Sequence, residues 1–258
     1  MTVSFSLDEH VARVQIDRPD RMNAVDDATG DALEDIWQQI EANNDVRVVV
    51  LTGSGEKAFC AGADMKGGNA LSGLEYWENA RPGGFGGLTL RKSLHVPVIA
   101  RVNGIAVGGG FELVLGCDVV VAAEHASFGL PEARVGRMPL DGGMIMLPRM
   151  IPQKVAMGML MTGNRISAQE AERYGLVNEV VPADELDAAV DRWVADILKC
   201  APLSVKAIKE SVKETIDLPA VEAMAQRLPS LVAALESEDA DEGPLAFREK
   251  REPNWKGR

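Results

Sequence analysis

Residues 96–117 read VPVIARVNGIAVGGGFELVLGC, and the glycine triplet at 108–110 separates two apolar stretches. Val96 to Val102 has the composition of a strand covered on both faces, and Phe111 to Cys117 has helical character. Three consecutive glycines let a ligand approach the main chain without a Cβ in the way. Unpaired N–H groups at the start of the helix would then face that ligand. A glycine triplet also occurs in tight turns for packing reasons alone, so the surrounding sequence has to decide.

The chain on either side alternates strand-like and helix-like stretches, which predicts an α/β fold. Val11 to Ile16 alternates apolar and polar residues as a half-buried strand does, and Val46 to Leu51 is apolar throughout. Between them an apolar stripe at helical spacing is formed by Leu33, Ile36, Trp37 and Ile40. This stripe is interpreted as core.

Beyond Pro182 the strand signals end and helices follow one another. The spacing of apolar residues predicts helices over Asp184–Lys199, Leu203–Thr215 and Ala220–Leu235. Little chain is left to cover the stripe of Leu228, Leu231, Val232 and Leu235, so we expect a neighbouring subunit to cover it.

Composition excludes several classes of function. The 258 residues are 46% apolar and carry a net charge of −12, which repels phosphate backbones and anionic membranes, so nucleic acid and membrane partners are not expected. No apolar run is long enough to cross a bilayer, and the amino terminus lacks the pattern of a secretory signal. Cys60, Cys117 and Cys200 have no metal-ligand spacing and are interpreted as buried, reduced thiols, which fits a reducing cytoplasm.

Two glutamates flank the glycine triplet and the next turn. Glu112 lies in an apolar stretch, where an unpaired carboxylate is costly to bury, and its alternative role is that of a salt-bridged structural residue. Glu132 follows Phe128-Gly129-Leu130-Pro131, and its alternative is an exposed loop carboxylate. Carboxylates close together in a partly apolar pocket raise one another's pKa and can divide the roles of acid and base near neutral pH.

A second turn of small residues, Phe59 to Lys66, also follows a strand and permits close approach to backbone N–H groups. Two such turns can form an oxyanion hole, in which loss of one donor typically costs about 3 kcal/mol of transition-state stabilisation. Between Gly67 and Gly87 the chain is too irregular for a helix or strand to be assigned. It is either a mobile segment that covers a pocket or a surface loop whose aromatic residues fold back on the body.

Together these segments resemble the crotonase superfamily, also called the enoyl-CoA hydratase/isomerase family, over nearly the whole chain. The stretches that carry the resemblance are Asp17-Arg18-Pro19 with Asn23-Ala24, Ala61 to Asp64, Pro97 to Ala100 with Asn103-Gly104, Gly108 to Glu112, Phe128 to Glu132, and Glu242 to Arg251. The resemblance implies a ββα spiral core over residues 1–195 that binds acyl-CoA and carries the catalytic groups. A helical oligomerisation region over residues 196–258 would assemble a homotrimer or a dimer of trimers.

The resemblance also implies roles for individual residues. The N–H groups of Ala63 and Gly109 would hold the thioester oxygen of an acyl-CoA, Glu112 would activate water, and Glu132 would carry the α-proton. The implied contacts to CoA fall on Ala61, Ala63, Asp64, Met65 and Lys66, with Phe247 and Lys250 reaching a neighbouring subunit's nucleotide. No metal or other cofactor is implied, because coenzyme A is part of the substrate.

Within the superfamily, three stretches resemble the branch that interconverts carnitinyl-CoA and crotonobetainyl-CoA. They are Pro82 to Thr89, the turn Gly109 to Leu113, and the ending Glu242 to Arg258 with its Trp255-Lys256-Gly257-Arg258. A trimethylammonium group is recognised by aromatic faces and carboxylates, and the candidates are Tyr76, Trp77, Phe85 and Asp141. Asp141 has two alternative roles: it raises the pKa of the glutamates, or it caps the following helix. Other functions left open are hydration of ordinary short- or medium-chain enoyl-CoA, double-bond isomerisation, and acyl-CoA or RNA binding without catalysis.

Overall fold

The computed structural model describes residues 2–65 and 72–258. Within these ranges the strands form two sheets. The larger sheet has six strands in the order β1-β2-β3-β5-β7-β10, all parallel except for the β1-β2 hairpin. Its strands are β1 (Val3–Asp8), β2 (Val11–Ile16), β3 (Val48–Gly53), β5 (Val98–Val102), β7 (Val119–Ala123) and β10 (Glu179–Val181).

The smaller sheet has four short strands in the order β4-β6-β8-β9, and the first three are parallel. They are β4 (Ala58–Cys60), β6 (Ile105–Val107), β8 (Ser127–Gly129) and β9 (Ile166–Ser167). In each of three successive turns of the chain, a long strand of the larger sheet leads directly into a short strand of the smaller one. This repeat is the predicted ββα spiral.

Helices α1 (Asp27–Ala42), α2 (Gly73–Glu78), α3 (Gly109–Leu115), α4 (Gly143–Met150), α5 (Gln153–Thr162) and α6 (Ala168–Arg173) accompany the spiral. The remaining helices are α7 (Leu186–Leu198), α8 (Pro202–Thr215), α9 (Ala220–Ala225), α10 (Pro229–Leu235) and α11 (Glu238–Glu249). None of the helices in the described ranges is both long and apolar enough to cross a membrane.

The core lies on both faces of the larger sheet, because alternate residues of a strand point to opposite faces. On β3, Val49 and Leu51 join a cluster that contains Trp37 and Phe111, whereas Val48 and Val50 join a second cluster with α7. The sheet is therefore covered on both sides, as its continuous apolar strands predict.

Two sequence-based assignments are wrong in detail. The single helix predicted over Ala220–Leu235 is two helices, because the chain is extended at Gln226 and at Leu228, the residue before Pro229. The irregular stretch before Gly87 contains α2, which begins with a capping box in which Ser72 and Glu75 satisfy each other's backbone N–H groups. The prediction that all three cysteines are buried is also wrong, because Cys117 is half-buried and Cys200 is exposed. The boundary between the predicted spiral and oligomerisation regions at residue 195 stays a prediction.

Candidate active site

Three loops meet at one edge of the smaller sheet. Strands β4, β6 and β8 are parallel neighbours, so the segments that follow them emerge side by side. Ala61 to Asp64 follows β4, Gly108 to Glu112 follows β6, and Leu130 to Glu132 follows β8. In sheets of this kind, ligands bind beyond the carboxyl ends of the strands. The two glycine-containing turns and the two glutamates predicted from the sequence are thus brought together.

The first loop is held by a backbone ladder to the segment that follows β2. Ala61 N–H donates to the carbonyl of Met22 (3.0 Å), Val25 N–H donates to the carbonyl of Gly62 (2.9 Å), and Asp64 N–H donates to the carbonyl of Val25 (2.9 Å). In this parallel bridge between Val25 and Ala63, Val25 uses both of its backbone groups. Because an extended chain alternates its N–H directions, the N–H of Ala63 points to the opposite side.

The second loop turns at Gly108, whose φ of 58° lies in the left-handed region that favours glycine. Gly109 is the first residue of α3, so its N–H has no acceptor inside the helix. A Cβ on Gly110 would lie 2.0 Å from the carbonyl oxygen of Cys60 at the end of β4. Glycine is required there because the helix start and the strand end are packed backbone against backbone.

The two loops touch each other at their glycines. A Cβ on Gly62 would lie 3.2 Å from the nitrogen of Gly109 and 3.0 Å from the carbonyl oxygen of Val107. Gly62 immediately precedes Ala63, so the backbone N–H groups of Ala63 and Gly109 belong to adjoining loops. An oxyanion hole formed by these two donors would require such proximity between the loops.

Glu112 is only 3% exposed, one turn into α3. Its Oε1 accepts a hydrogen bond from the N–H of Gly143 at 2.8 Å, and none of the ion pairs between described residues includes it. The structural salt bridge considered from the sequence is therefore not formed. Burial raises the pKa of Glu112 to about 8, and the negative charges of Asp141 and Glu132 add to this rise.

Glu132 begins a one-turn 3₁₀ helix, Glu132–Val135, directly after Pro131. Its Oε1 lies 3.1 Å from where a Cβ on Gly108 would be, so the carboxylate faces the second loop. Its Oε2 is buried and has no hydrogen-bond partner among the described residues. Burial raises the pKa of Glu132. The alternative of an exposed loop carboxylate is therefore not what the structure shows.

Asp141 extends the acidic site. It is 5% exposed, its Oδ2 accepts a hydrogen bond from the hydroxyl of Tyr76 (2.5 Å), and it also accepts one from the backbone N–H of Phe85. Burial raises the pKa of Asp141, and burial together with the neighbouring Asp141 raises the pKa of Tyr76. The N-cap of α4 is Gly142, so the helix-capping role considered for Asp141 is wrong.

The three aromatic residues predicted for the acyl pocket differ in burial and in their position relative to the site. Phe85 is buried, and its ring lies 2.6 Å from where a Cβ on Gly109 would be, so it packs against the glycine turn. Tyr76 reaches the site through Asp141. Trp77, the next residue of α2, is 63% exposed, and its side chain is not enclosed in this subunit.

The residues predicted to contact CoA lie in two places. Ala61, Asp64 and Met65 belong to the first loop, where Met65 is exposed and Asp64 is ion-paired with Arg18. Lys66 lies outside the described residues. Phe247, which is 85% exposed, and Lys250 lie at the carboxyl end of α11. Their predicted contact with the nucleotide of a neighbouring subunit stays a prediction.

Two groups that the sequence does not single out also belong to the site. The N–H of Gly143 donates to Glu112, and the sequence signal for this backbone donor is no more than the Gly142-Gly143 pair. Arg18, from the Asp17-Arg18-Pro19 motif, bonds to both segments of the Val25–Ala63 bridge.

A profile described as "Enoyl-CoA hydratase/isomerase" matches residues 6–258. The chain belongs to this family. Among curated relatives, "Carnitinyl-CoA dehydratase" of Salmonella arizonae is 43% identical over 251 residues, which are 96% of this chain and 95% of that protein. The Salmonella typhimurium protein of the same name is 43% identical over 255 residues, again 96% of this chain and 95% of its own length.

Solved structures of the enoyl-CoA hydratase/isomerase family match over the full length. An enoyl-CoA hydratase from Bacillus anthracis has a TM-score of 0.93 and 36% identity, covering 100% of both chains. One from Mycobacterium tuberculosis has a TM-score of 0.91 and 33% identity, covering 100% of this chain and 99% of the other. The predicted crotonase fold and the predicted membership of the enoyl-CoA hydratase/isomerase family are thereby confirmed.

Proposed function

We propose that the chain catalyses the reversible addition of water to a 2-enoyl-CoA, with Glu112 and Glu132 as the two proton carriers. The observation that carries the proposal is that the buried carboxylate of Glu112 and the half-buried carboxylate of Glu132, whose Oε2 is enclosed, lie beside the two adjoining loops that contain Ala63 and Gly109. The N–H groups of Ala63 and Gly109 would donate to the thioester oxygen. That oxygen gains negative charge when the enolate forms, and preorganised donors stabilise it there.

In the hydration direction, ionised Glu112 takes a proton from water as the water oxygen bonds to the β-carbon. The electron pair of the double bond moves onto the thioester oxygen, and protonated Glu132 then delivers its proton to the α-carbon. In the dehydration direction, ionised Glu132 removes the α-proton and protonated Glu112 donates to the leaving hydroxyl. The raised pKa of about 8 keeps Glu112 protonated at neutral pH, which suits its role as the acid in dehydration.

The direct test compares Glu132→Gln and Glu112→Gln with the wild type. Turnover is followed by the loss of the conjugated ultraviolet absorbance of enoyl-CoA, and ligand affinity is measured separately with a saturated acyl-CoA. We expect turnover to fall by about 1,000-fold or more with affinity retained. Absence of hydration by the wild type with any enoyl-CoA would favour a non-catalytic acyl-CoA-binding role. A shift of the double bond without uptake of ¹⁸O from labelled water would favour an isomerase.

For the acyl group, we infer a substrate with a quaternary ammonium group, crotonobetainyl-CoA or carnitinyl-CoA. Two observations support this inference. Relatives that are 43% identical carry the name carnitinyl-CoA dehydratase, and the buried carboxylate of Asp141, held by the hydroxyl of Tyr76, adds negative charge beside Glu112. A trimethylammonium group next to that carboxylate and the ring of Phe85 would gain about 1–2 kcal/mol in a dry site.

A substrate panel with Asp141→Asn tests this inference, and Phe85→Leu serves as the comparison variant that leaves the charge intact. We expect the wild type to have a higher kcat/KM for crotonobetainyl-CoA than for crotonyl-CoA. Asp141→Asn should reduce that ratio about 10-fold, and should do so by losing activity only on the cationic substrate. Equal kcat/KM values for both substrates in the wild type would instead favour a general short- or medium-chain enoyl-CoA hydratase.

We also infer a homotrimer or a dimer of trimers located in the cytoplasm. Exposed apolar side chains on the carboxyl-terminal helices support the assembly, namely Val212, Ile216, Val221, Met224 and Leu235. Light scattering after size-exclusion chromatography tests it, and a mass of one chain would contradict it. The net charge of −12 supports the expectation that nucleic acid is not a partner. We expect no cofactor beyond the CoA of the substrate.

A further inference from the structure

Arg18, in the loop after β2, joins the two segments of the bridge that carries Ala63. Its Nη1 donates to the carbonyl oxygen of Ala24, next to Val25 on one segment. Its Nη2 lies 2.9 Å from Oδ2 of Asp64, the residue after Ala63 on the other segment. The Arg18 side chain is only 15% exposed, and its guanidinium bonds to both segments of the bridge.

A third bond ties this arrangement to α1. Nη2 of Arg18 also lies 2.8 Å from Oδ2 of Asp26, the N-cap residue of α1, whose Oδ1 accepts the N–H of Thr29 at 2.9 Å. The loop of Ala63 is therefore linked through Arg18 to the beginning of a sixteen-residue helix. Two carboxylates face this one guanidinium, so its positive charge is already balanced and is poorly placed to bind the phosphates of CoA.

We propose that Arg18 is a positioning residue that fixes the direction of the Ala63 N–H toward the thioester oxygen. It acts through Ala24 and Asp64 without touching the substrate. The role needs arginine, because the planar guanidinium bonds several acceptors in fixed directions, whereas the ammonium of lysine is a compact point charge. The proposal rests on the function proposed above, since Ala63 matters in this way only if its N–H stabilises an enolate.

Three variants test the proposal. Arg18→Met removes the charge and the donors, and Arg18→Lys keeps only the charge. Arg101→Met is the matched control, because Arg101 is 19% exposed and bonds Asp187 at 2.6 Å away from the strand-end loops. Measurements are kcat, KM, melting temperature, and the absorbance of a bound aryl-conjugated enoyl-CoA. That absorbance moves to longer wavelength when the thioester carbonyl is polarised by hydrogen bonds.

We expect Arg18→Met to lower kcat by about 10- to 100-fold, less than the roughly 100- to 1,000-fold typical when an oxyanion donor is removed outright. KM should stay within about threefold, as expected when an interaction specific to the transition state is lost. The absorbance shift of the bound ligand should shrink, and Arg18→Lys should recover part of both losses. Arg101→Met should keep kcat and the shift even where its melting temperature falls.

Three results for Arg18→Met would overturn the proposal. The first is that both kcat and KM are unchanged, the second is that KM rises while kcat is unchanged, and the third is that kcat falls while the absorbance shift is unchanged. The second would assign Arg18 to CoA binding, and the third would assign it to general stability. Should Arg18→Met fail to fold, Arg18→Lys carries the same three comparisons. Failure of the proposed function is distinguishable, because the wild type would then bind the chromophoric ligand without turning over any enoyl-CoA.

Discussion

Replacing Glu112 by glutamine should stabilise the protein while removing its activity. The amide of the Glu112→Gln variant keeps an oxygen that can accept the N–H of Gly143, a bond of 2.8 Å in the wild type, but it cannot ionise. The carboxyl of Glu112 has a pKa of about 8 in the fold against an ordinary value of 4.5, chiefly because it is buried. Above the ordinary pKa of a glutamate, the burial of Glu112 therefore lowers the free energy of unfolding of the wild type, and the variant lacks this penalty.

The size of that cost follows from the two pKa values. Between pH 4.5 and 8 the unfolded chain releases the proton and the folded chain retains it, so the stability of the wild type falls as pH rises. At pH 7 the accumulated penalty is about 3 kcal/mol, and above pH 8 it levels off near about 5 kcal/mol. Near pH 4 it disappears because the carboxyl is largely protonated in both states.

Urea unfolding of wild type and Glu112→Gln at fixed protein concentration, from pH 4 to pH 9, measures the difference directly. We expect the gap between their free energies of unfolding to widen with pH and to level off above pH 8. Glu236→Gln, at an exposed position, is the control. Its free energy of unfolding should stay close to that of the wild type over the whole pH range. A Glu112→Gln variant that is less stable than the wild type at every pH would contradict the prediction, and so would a difference in free energy of unfolding that does not change with pH.

Three further predictions concern packing and thiol reactivity. Gly110→Ala places a Cβ 2.0 Å from the carbonyl oxygen of Cys60, so α3 must move. We expect at least about 2 kcal/mol of destabilisation and a loss of turnover. An unchanged melting temperature would contradict this prediction. Lys209→Met removes the hydrogen bonds from Nζ to the Asp118 carboxylate (2.6 Å) and to the Val96 carbonyl (2.7 Å). Urea unfolding should show a loss of about 2 kcal/mol in the free energy of unfolding, and adding Asp118→Asn should restore part of it. Burial raises the pKa of the Cys60 thiol to about 12 and also raises the pKa of the Cys117 thiol. A thiol reagent should therefore label only the exposed Cys200 rapidly in the folded protein. After unfolding, it should label all three cysteines rapidly.

Much of the site follows from local sequence. A glycine triplet between apolar stretches marks a close approach of backbones, and the structure shows such an approach at Gly110 and Cys60. The resemblance then selects Glu112 and Glu132, which are 20 residues apart and lie in the segments that follow the adjacent strands β6 and β8. Two further details are also local: Ser72 and Glu75 have the spacing of a capping box, and Pro229 marks the break between α9 and α10.

The remaining features depend on contacts between distant parts of the chain. Gly143 is 31 residues from Glu112, Tyr76 is 65 residues from Asp141, and Arg18 is 46 residues from Asp64. No local periodicity encodes which backbone N–H or hydroxyl a carboxylate will meet. The capping role considered for Asp141 had a sound local basis, but the residue instead accepts the Tyr76 hydroxyl from another segment.

In the proposed mechanism, the loops that follow the parallel strands of the smaller sheet carry two different kinds of group. Main-chain N–H groups of Ala63 and Gly109 would hold the thioester oxygen, whereas each proposed proton carrier is a single side chain that follows its own strand. If these roles hold, exchanging Glu112 or Glu132 for another residue type would change the proton chemistry while the backbone donors to the thioester oxygen stay in place. A new activity on a CoA thioester would then not require a new binding site.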